Sequence, residues 1–230
     1  TTRLAPDRLA LYSYAHVPSI KKHQRVIDED ALPEPEAKLR LFRQGIERLT
    51  GRSGYRFIGM DHFARPDDEL ARAQDRGDLH RNFQGYSTRA GAEVVAFGVS
   101  GISQLDGAYA QNVKALPAYY ERVEEGRRGI YRGYRLTPED RLRRHVIMQL
   151  MCHFHLEKAP VEERFDVDFD TTFDTALEVL KPMEADGLVT LTPEAVHVRP
   201  PGRLLVRNVA MAFDAYWQAE EDQPVHAQTV

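Results

Sequence analysis

Apolar and polar residues follow two different periods along this chain, and the change of period divides it. From Arg8 to Ala15 the apolar residues are consecutive, with Leu9 and Leu11 on one side and Ala10, Tyr12 and Tyr14 on the other. That pattern predicts a strand covered on both faces. Pro35 then opens a segment in which Leu39, Phe42, Ile46 and Leu49 form a helical stripe, closing near Gly51 or Gly54. Two more apolar runs, Tyr55 to Asp61 and Glu93 to Ser100, read as strands. Strand, helix, strand is the order of a parallel α/β layer. Such a layer is short of strands, so a preceding portion with more strand–helix units is expected, in this chain or from another.

In the second half the period is helical. Thr137-Pro138-Glu139-Asp140 reads as an N-cap, a proline at N1 and an acidic N3. Behind it, Leu142, Val146, Leu150 and Phe154, with Ile147 and Met151, share one face. A further helix from about Asp170 carries Phe173, Leu177 and Leu180, with Gly187 at its C′ position. Leu188 to Thr192 and Val196 to Arg199 predict a hairpin around Pro193-Glu194-Ala195. A last helix, from about Gly202, is expected to bury Leu205, Val209, Phe213 and Tyr216. This succession resembles a winged-helix module. The expected units are residues 1–112, a connecting segment at 113–136, the helical domain at 137–217 and a tail at 218–230.

Composition narrows the classes. With 230 residues, 42% hydrophobic and 29% charged, the chain is of globular type and long enough to bury a core. A net charge of -4 gives no global attraction to nucleic acid or to an anionic membrane, and neither is expected as a partner. No run of 18 apolar residues and no signal-peptide core occur, which makes the cytoplasm the expected compartment. The single cysteine, Cys152, sits among Leu150, Met151 and Phe154 and reads as a core thiol; no metal-ligand spacing is present.

Two blocks carry candidate chemistry. Asp61, His62 and Arg65, followed by Asp67, Asp68 and Glu69, come after the carboxyl end of the strand expected at 55–61. Ligands of parallel sheets bind outside that edge. A histidine beside a carboxylate suits proton transfer, and equally a capped loop with a backbone-bonded imidazole. His80-Arg81-Asn82-Phe83-Gln84-Gly85-Tyr86 can stack a flat ligand and fix its polar edge, or form a surface turn with its aromatics tucked inward. Gly98 to Ser103 is an ordinary tight turn or a place where a ligand nears the backbone. The arginines at 127, 128, 132, 135, 141, 143 and 144 suit carboxylates or phosphates, or a solvated salt-bridged face.

Those blocks, with Tyr14-Ala15-His16-Val17-Pro18, Tyr109-Ala110-Gln111-Asn112, Gly202 to Asn208 and Met211-Ala212-Phe213-Asp214, resemble the C-terminal half of the oxygen-independent coproporphyrinogen III oxidases. The resemblance spans about residues 5–217, and its most specific part is His80 to Tyr86. It implies the C-terminal portion of a partial (β/α) barrel of the radical S-adenosylmethionine type, followed by a mainly helical, winged-helix-like domain. It implies oxidative decarboxylation of two propionates of coproporphyrinogen III to vinyl groups, giving protoporphyrinogen IX in haem biosynthesis. The implied cofactors are a [4Fe-4S] cluster and S-adenosylmethionine; the implied partners are an electron donor and an N-terminal barrel half, in cis or in trans.

By the same resemblance Ala15 lies against the second S-adenosylmethionine and Ile102 against the first. Phe83 and Gln84 match active-site positions. Asp61, His62, Arg65 and Arg81 are possible substrate contacts. The family's CxxxCxxC cluster motif is absent from this sequence, so no residue is expected to bind metal and the chain alone is expected to be inactive. Two other readings are a cofactor-free porphyrin-binding module and a winged-helix nucleic-acid-binding protein.

Overall fold

The computed structural model describes residues 3–217; the expected tail at 218–230 lies outside the described residues. The first sheet is built from β1 (Arg8–Ala10), β2 (Arg56–Gly59) and β3 (His62–Ala64), in the order β1-β3-β2. Both of its pairings are antiparallel. This corrects the expected parallel layer. The run from Tyr55 does not end in a strand-end loop: Gly59 (φ 154°) and Met60 (φ 50°) turn the chain, and His62 begins the next strand. A short apolar run fixes burial but not the direction of its partner.

Helix α1 (Pro35–Glu47) follows the predicted stripe and continues into a π-helical turn at Arg48–Arg52. Helix α2 (Glu69–Arg76) is capped by Asp68, whose carboxylate accepts from the Leu70 amide at 2.8 Å. Gly77 closes it in the left-handed region. The His80–Tyr86 block then folds as a hairpin, β4 (His80–Asn82) and β5 (Gly85–Ser87), with Phe83 and Gln84 at its tip.

The apolar run Glu93–Ser100 is not a strand; only Val94 bridges, antiparallel, to Gln104. Its polar groups are met one at a time: Ser103 accepts from the Ala96 amide, Tyr119 from the Gly98 amide, and the Asn112 amide donates to the carbonyls of Ala96 and Gly98. The sheet beside it is β6 (Ile102–Leu105), β7 (Ala108–Asn112) and β8 (Ile130–Arg135), again antiparallel. The stretch expected as a connector therefore folds: α3 (Leu116–Glu124) precedes β8, which pairs with β7.

The helical half has the order and pairing of a winged helix. It runs α4 (Pro138–His153), β9 (His155–Glu157), α5 (Lys158–Phe165), α6 (Phe169–Thr172), α7 (Asp174–Ala185), β10 (Val189–Leu191) and β11 (Ala195–Val198). The sheet order is β10-β11-β9. Thr137 and Asp140 close a reciprocal capping box at the start of α4. A 3-10 turn at Pro201–Leu205 leads into α8 (Val206–Met211), which is shorter than the expected last helix. Tyr216 is consequently exposed rather than buried.

Phe169, Phe173 and Phe213 fill the main core with Leu150 and Leu180. A second core joins Ile58, Ala64, Leu70, Tyr86 and Cys152. Phe57 of β2 packs against both the main core and the Leu49–Tyr55–Phe63 cluster, so the two halves share continuous packing.

Candidate functional site

The β2–β3 turn and the β4–β5 tip converge on one cavity of about 370 Å³. Of the eight candidate residues, Asp61, His62, Arg81, Phe83 and Gln84 line it. Asp61 is held by the tight turn, and its carbonyl accepts from the Leu11 amide at 2.7 Å, extending the β1–β3 ladder to the cavity wall. Its carboxylate meets His62 Nδ1 at 2.8 Å. Burial drives the Asp61 carboxyl upward, but the bond and charge of His62, with Arg81 facing it, outweigh burial and hold it below the ordinary carboxylate value. Asp61 is therefore an anion at neutral pH.

His62 is seated by two contacts. Its ring meets Tyr86 edge-on at 5.2 Å, and Gly85 lies beside its Nε2, where a Cβ would come within 2.9 Å. The Arg81 guanidinium lies over the same Tyr86 ring, 5.8 Å from its centroid. At the tip, Asn82 Oδ1 accepts from the Gln84 amide at 2.8 Å, a local turn that leaves the Phe83 and Gln84 side chains exposed. Phe83 contacts Tyr109 of β7 edge-on at 5.3 Å, and Arg144 of α4 lies over Tyr109 at 5.8 Å. Phe83 thereby faces a second cavity of about 650 Å³, lined by Tyr109, Tyr134, Arg143 and Arg144.

Three candidates lie elsewhere. Arg65 is exposed just past β3, 3.6 Å from Asp67. Ala15 is exposed, and its carbonyl accepts from the buried Gln24 side chain at 2.9 Å while Gln24 also accepts from the Val17 amide. Ile102 opens β6 opposite Gln111. Neither Ala15 nor Ile102 lines the cavity. The cavity does include Lys38 of α1 and Arg207 and Asn208 of α8, which sequence reasoning missed. Each is an ordinary polar residue on a helix, and only the fold brings these helices to the β4–β5 tip.

Four of the seven arginines at 127–144 have side-chain partners. Arg127 pairs with Glu125, Arg141 with Asp106 and Arg143 with Glu139, while Arg132 donates to Gln111. Cys152, 1% exposed, is a core thiol pushed up to about 12 by burial. One buried thiol does not ligate an iron–sulfur cluster, and no metal-holding group of three or more ligands occurs among the described residues. Nor is any helix among the described residues long and apolar enough to cross a membrane.

Comparison with known proteins bears on the chain as a whole. The profile described as HemN C-terminal domain matches residues 136–205. The chain is 48% identical over 219 residues to an oxygen-independent coproporphyrinogen III oxidase of Thermostichus vulcanus, covering 95% of this chain and 67% of that protein. It is 48% identical over 213 residues to the Escherichia coli (strain K12) protein of the same name, covering 93% of this chain and 46% of the other. A solved structure described as "Coproporphyrinogen III oxidase (HemN) from Escherichia coli is a Radical SAM enzyme" superposes with a TM-score of 0.90 at 47% identity, covering 94% of this chain and 50% of that one. The chain thus spans about half the length of most curated relatives it matches. With this identity and this superposition, the chain belongs to the oxygen-independent coproporphyrinogen III oxidase family, of which it represents the C-terminal part.

Proposed function

We propose that this chain forms the substrate-side part of an enzyme that oxidatively decarboxylates two propionates of coproporphyrinogen III to vinyl groups, giving protoporphyrinogen IX in haem biosynthesis. The observation that carries the reading is the apolar cavity in which Asp61, His62, Arg81, Phe83 and Gln84 meet. Apolar walls with a few convergent polar groups suit a tetrapyrrole with acidic arms.

In this reading Phe83 and Gln84 touch the substrate from the hairpin tip, and the Asp61–His62 pair orients its polar edge. Ala15 and Ile102 serve S-adenosylmethionine in the whole protein, outside this cavity. The [4Fe-4S] cluster lies with residues other than these, because the lone Cys152 cannot ligate it, and an electron donor reaches it there. Residues 1–112 act as the barrel portion and 137–217 as the helical domain, in a cytoplasmic protein. The chain alone binds substrate without converting it.

A cofactor-free porphyrin-binding module would use the same cavity. The nucleic-acid reading is weakened, since Arg127, Arg141 and Arg143, three of the seven arginines, are paired with neighbouring carboxylates.

The test is a fluorescence titration of coproporphyrin III against the chain, in parallel with duplex DNA at low and high salt. Saturable porphyrin binding without DNA binding is expected. Salt-dependent DNA binding with no porphyrin binding would overturn the assignment. Turnover of coproporphyrinogen III by the whole protein, and none by this chain, separates the enzyme from the bare binding module.

A further inference from the structure

Four side-chain nitrogen or oxygen atoms among the described residues are buried without a hydrogen-bond partner, and two of them belong to residues lining the same cavity: Arg81 Nε and Asn208 Oδ1. A buried unpaired polar atom is costly, about 1–3 kcal/mol for a neutral group and more near a charge. Two in residues that line one cavity mark a place where a ligand, with a small side-chain rearrangement, completes the bonding.

The charges say which ligand. Lys38, Arg81 and Arg207 line the cavity, and none of them is within ion-pairing distance of a carboxylate among the described residues. The acid facing them is Asp61, already bonded to His62. Most of the remaining wall is apolar, from Leu11, Leu39, Phe42, Met60 and Leu204. An excess of cation in an apolar cavity is matched by an anion whose carrier is itself apolar.

We propose that Arg81 and Arg207, with Asn208 beside them, form a carboxylate-binding subsite that fixes one acidic arm of the ligand while Phe83 covers its apolar body. A guanidinium presents two parallel N–H donors to the two carboxylate oxygens. The Asn208 amide, turned end for end, offers its NH2 at the point where Oδ1 now lies. Lys38 supplies a further point charge from α1. The subsite deepens the functional reading given above and rests on it for the identity of the arm. The same carboxylate chemistry is carried by a propionate of the tetrapyrrole and by the amino-acid end of S-adenosylmethionine.

The experiment titrates coproporphyrin III, its tetramethyl ester and S-adenosylmethionine separately into the full chain and into Arg207→Gln, Asn208→Leu and Arg127→Gln. Arg207 is exposed, so its replacement leaves the core intact, and circular dichroism verifies folding of each variant. The expected result is a loss of about 10- to 100-fold in coproporphyrin III affinity for Arg207→Gln, a smaller loss for Asn208→Leu and none for Arg127→Gln. The ester should bind wild type and Arg207→Gln alike. A loss confined to S-adenosylmethionine assigns the same subsite to the amino-acid carboxylate. Unchanged affinity of both variants for both acids, or no binding of either acid by the folded wild type, overturns the subsite. Carboxylate binding with no turnover by the whole protein would instead overturn the functional reading and leave the subsite standing.

Discussion

The hydroxyl of Tyr86 donates to the carbonyl oxygen of Met151 at 2.9 Å, joining residues 65 positions apart. Tyr86 is on β5, beside His62, and Met151 is in the last turn of α4. Burial raises the Tyr86 hydroxyl far above its ordinary value, so it is a donor at every physiological pH. Gly59 makes the approach possible, because a Cβ there would overlap the Tyr86 hydroxyl. The Tyr86 phenol thus adds a hydrogen bond to the packing of Phe57 and Met60 on the helical core beside the Asp61–His62 turn.

Tyr86→Phe keeps the ring against His62 and Arg81 but leaves the Met151 carbonyl without this donor. A loss of about 1–2 kcal/mol in unfolding free energy is expected from urea denaturation. An unchanged midpoint and slope would show that the bond contributes nothing to coupling the halves.

How much of this was legible in the sequence differs between the halves for a physical reason. The helical half announced itself, since Thr137 and Asp140 state where α4 begins and Pro193-Glu194 states where the wing turns. The strands before it were found at Arg8 and Tyr55, but their partners were misread, because apolar runs do not encode pairing direction. At the site, Asp61, His62, Arg81, Phe83 and Gln84 stood out by crowding polar and aromatic groups together. Lys38 carried no such local mark, and Arg207 and Asn208, although inside the Gly202–Asn208 block of the resemblance, were not singled out there as site residues.

Asp140 accepts from the Thr137 amide and hydroxyl and from the hydroxyls of Tyr134 and Tyr216. Burial pushes its carboxyl up, yet these donors prevail and hold it at about 2. Its folded value is below the unfolded one, so its contribution is present above about 4 and fades as pH falls toward about 2. Asp140→Ala is expected to cost about 2–3 kcal/mol at neutral pH, combining a lost cap with lost hydrogen bonds. Denaturation at a series of pH values should show the gap from wild type closing in acid. A gap that stays constant to strong acid would contradict the assignment.

Cys152 should not react with a thiol reagent at mildly alkaline pH while the protein is native, given its burial and its value of about 12. Labelling should follow unfolding across a urea series. Prompt labelling of the native protein would show that the second core is open.

Two glycines predict different penalties for the same replacement. A Cβ on Gly202 would run into the Leu188 carbonyl, a backbone atom that cannot step aside, so Gly202→Ala is expected to cost about 2–3 kcal/mol. Gly187 has open space around it but φ +71°, so Gly187→Ala should cost only about 1 kcal/mol. Thermal unfolding of the pair checks the order, and a reversed order would refute it.

The cavity borrows its walls from Leu11, Lys38, Asp61, Arg81 and Arg207, nearly the full span of the described chain. No single hairpin or helix pair contains it. In kinetic terms it is expected to be among the last features to form, because its closure needs contacts of large sequence separation. A folding intermediate with a finished helical half would be compact and yet blind to ligand, so the recovery of binding during refolding should lag the recovery of helix.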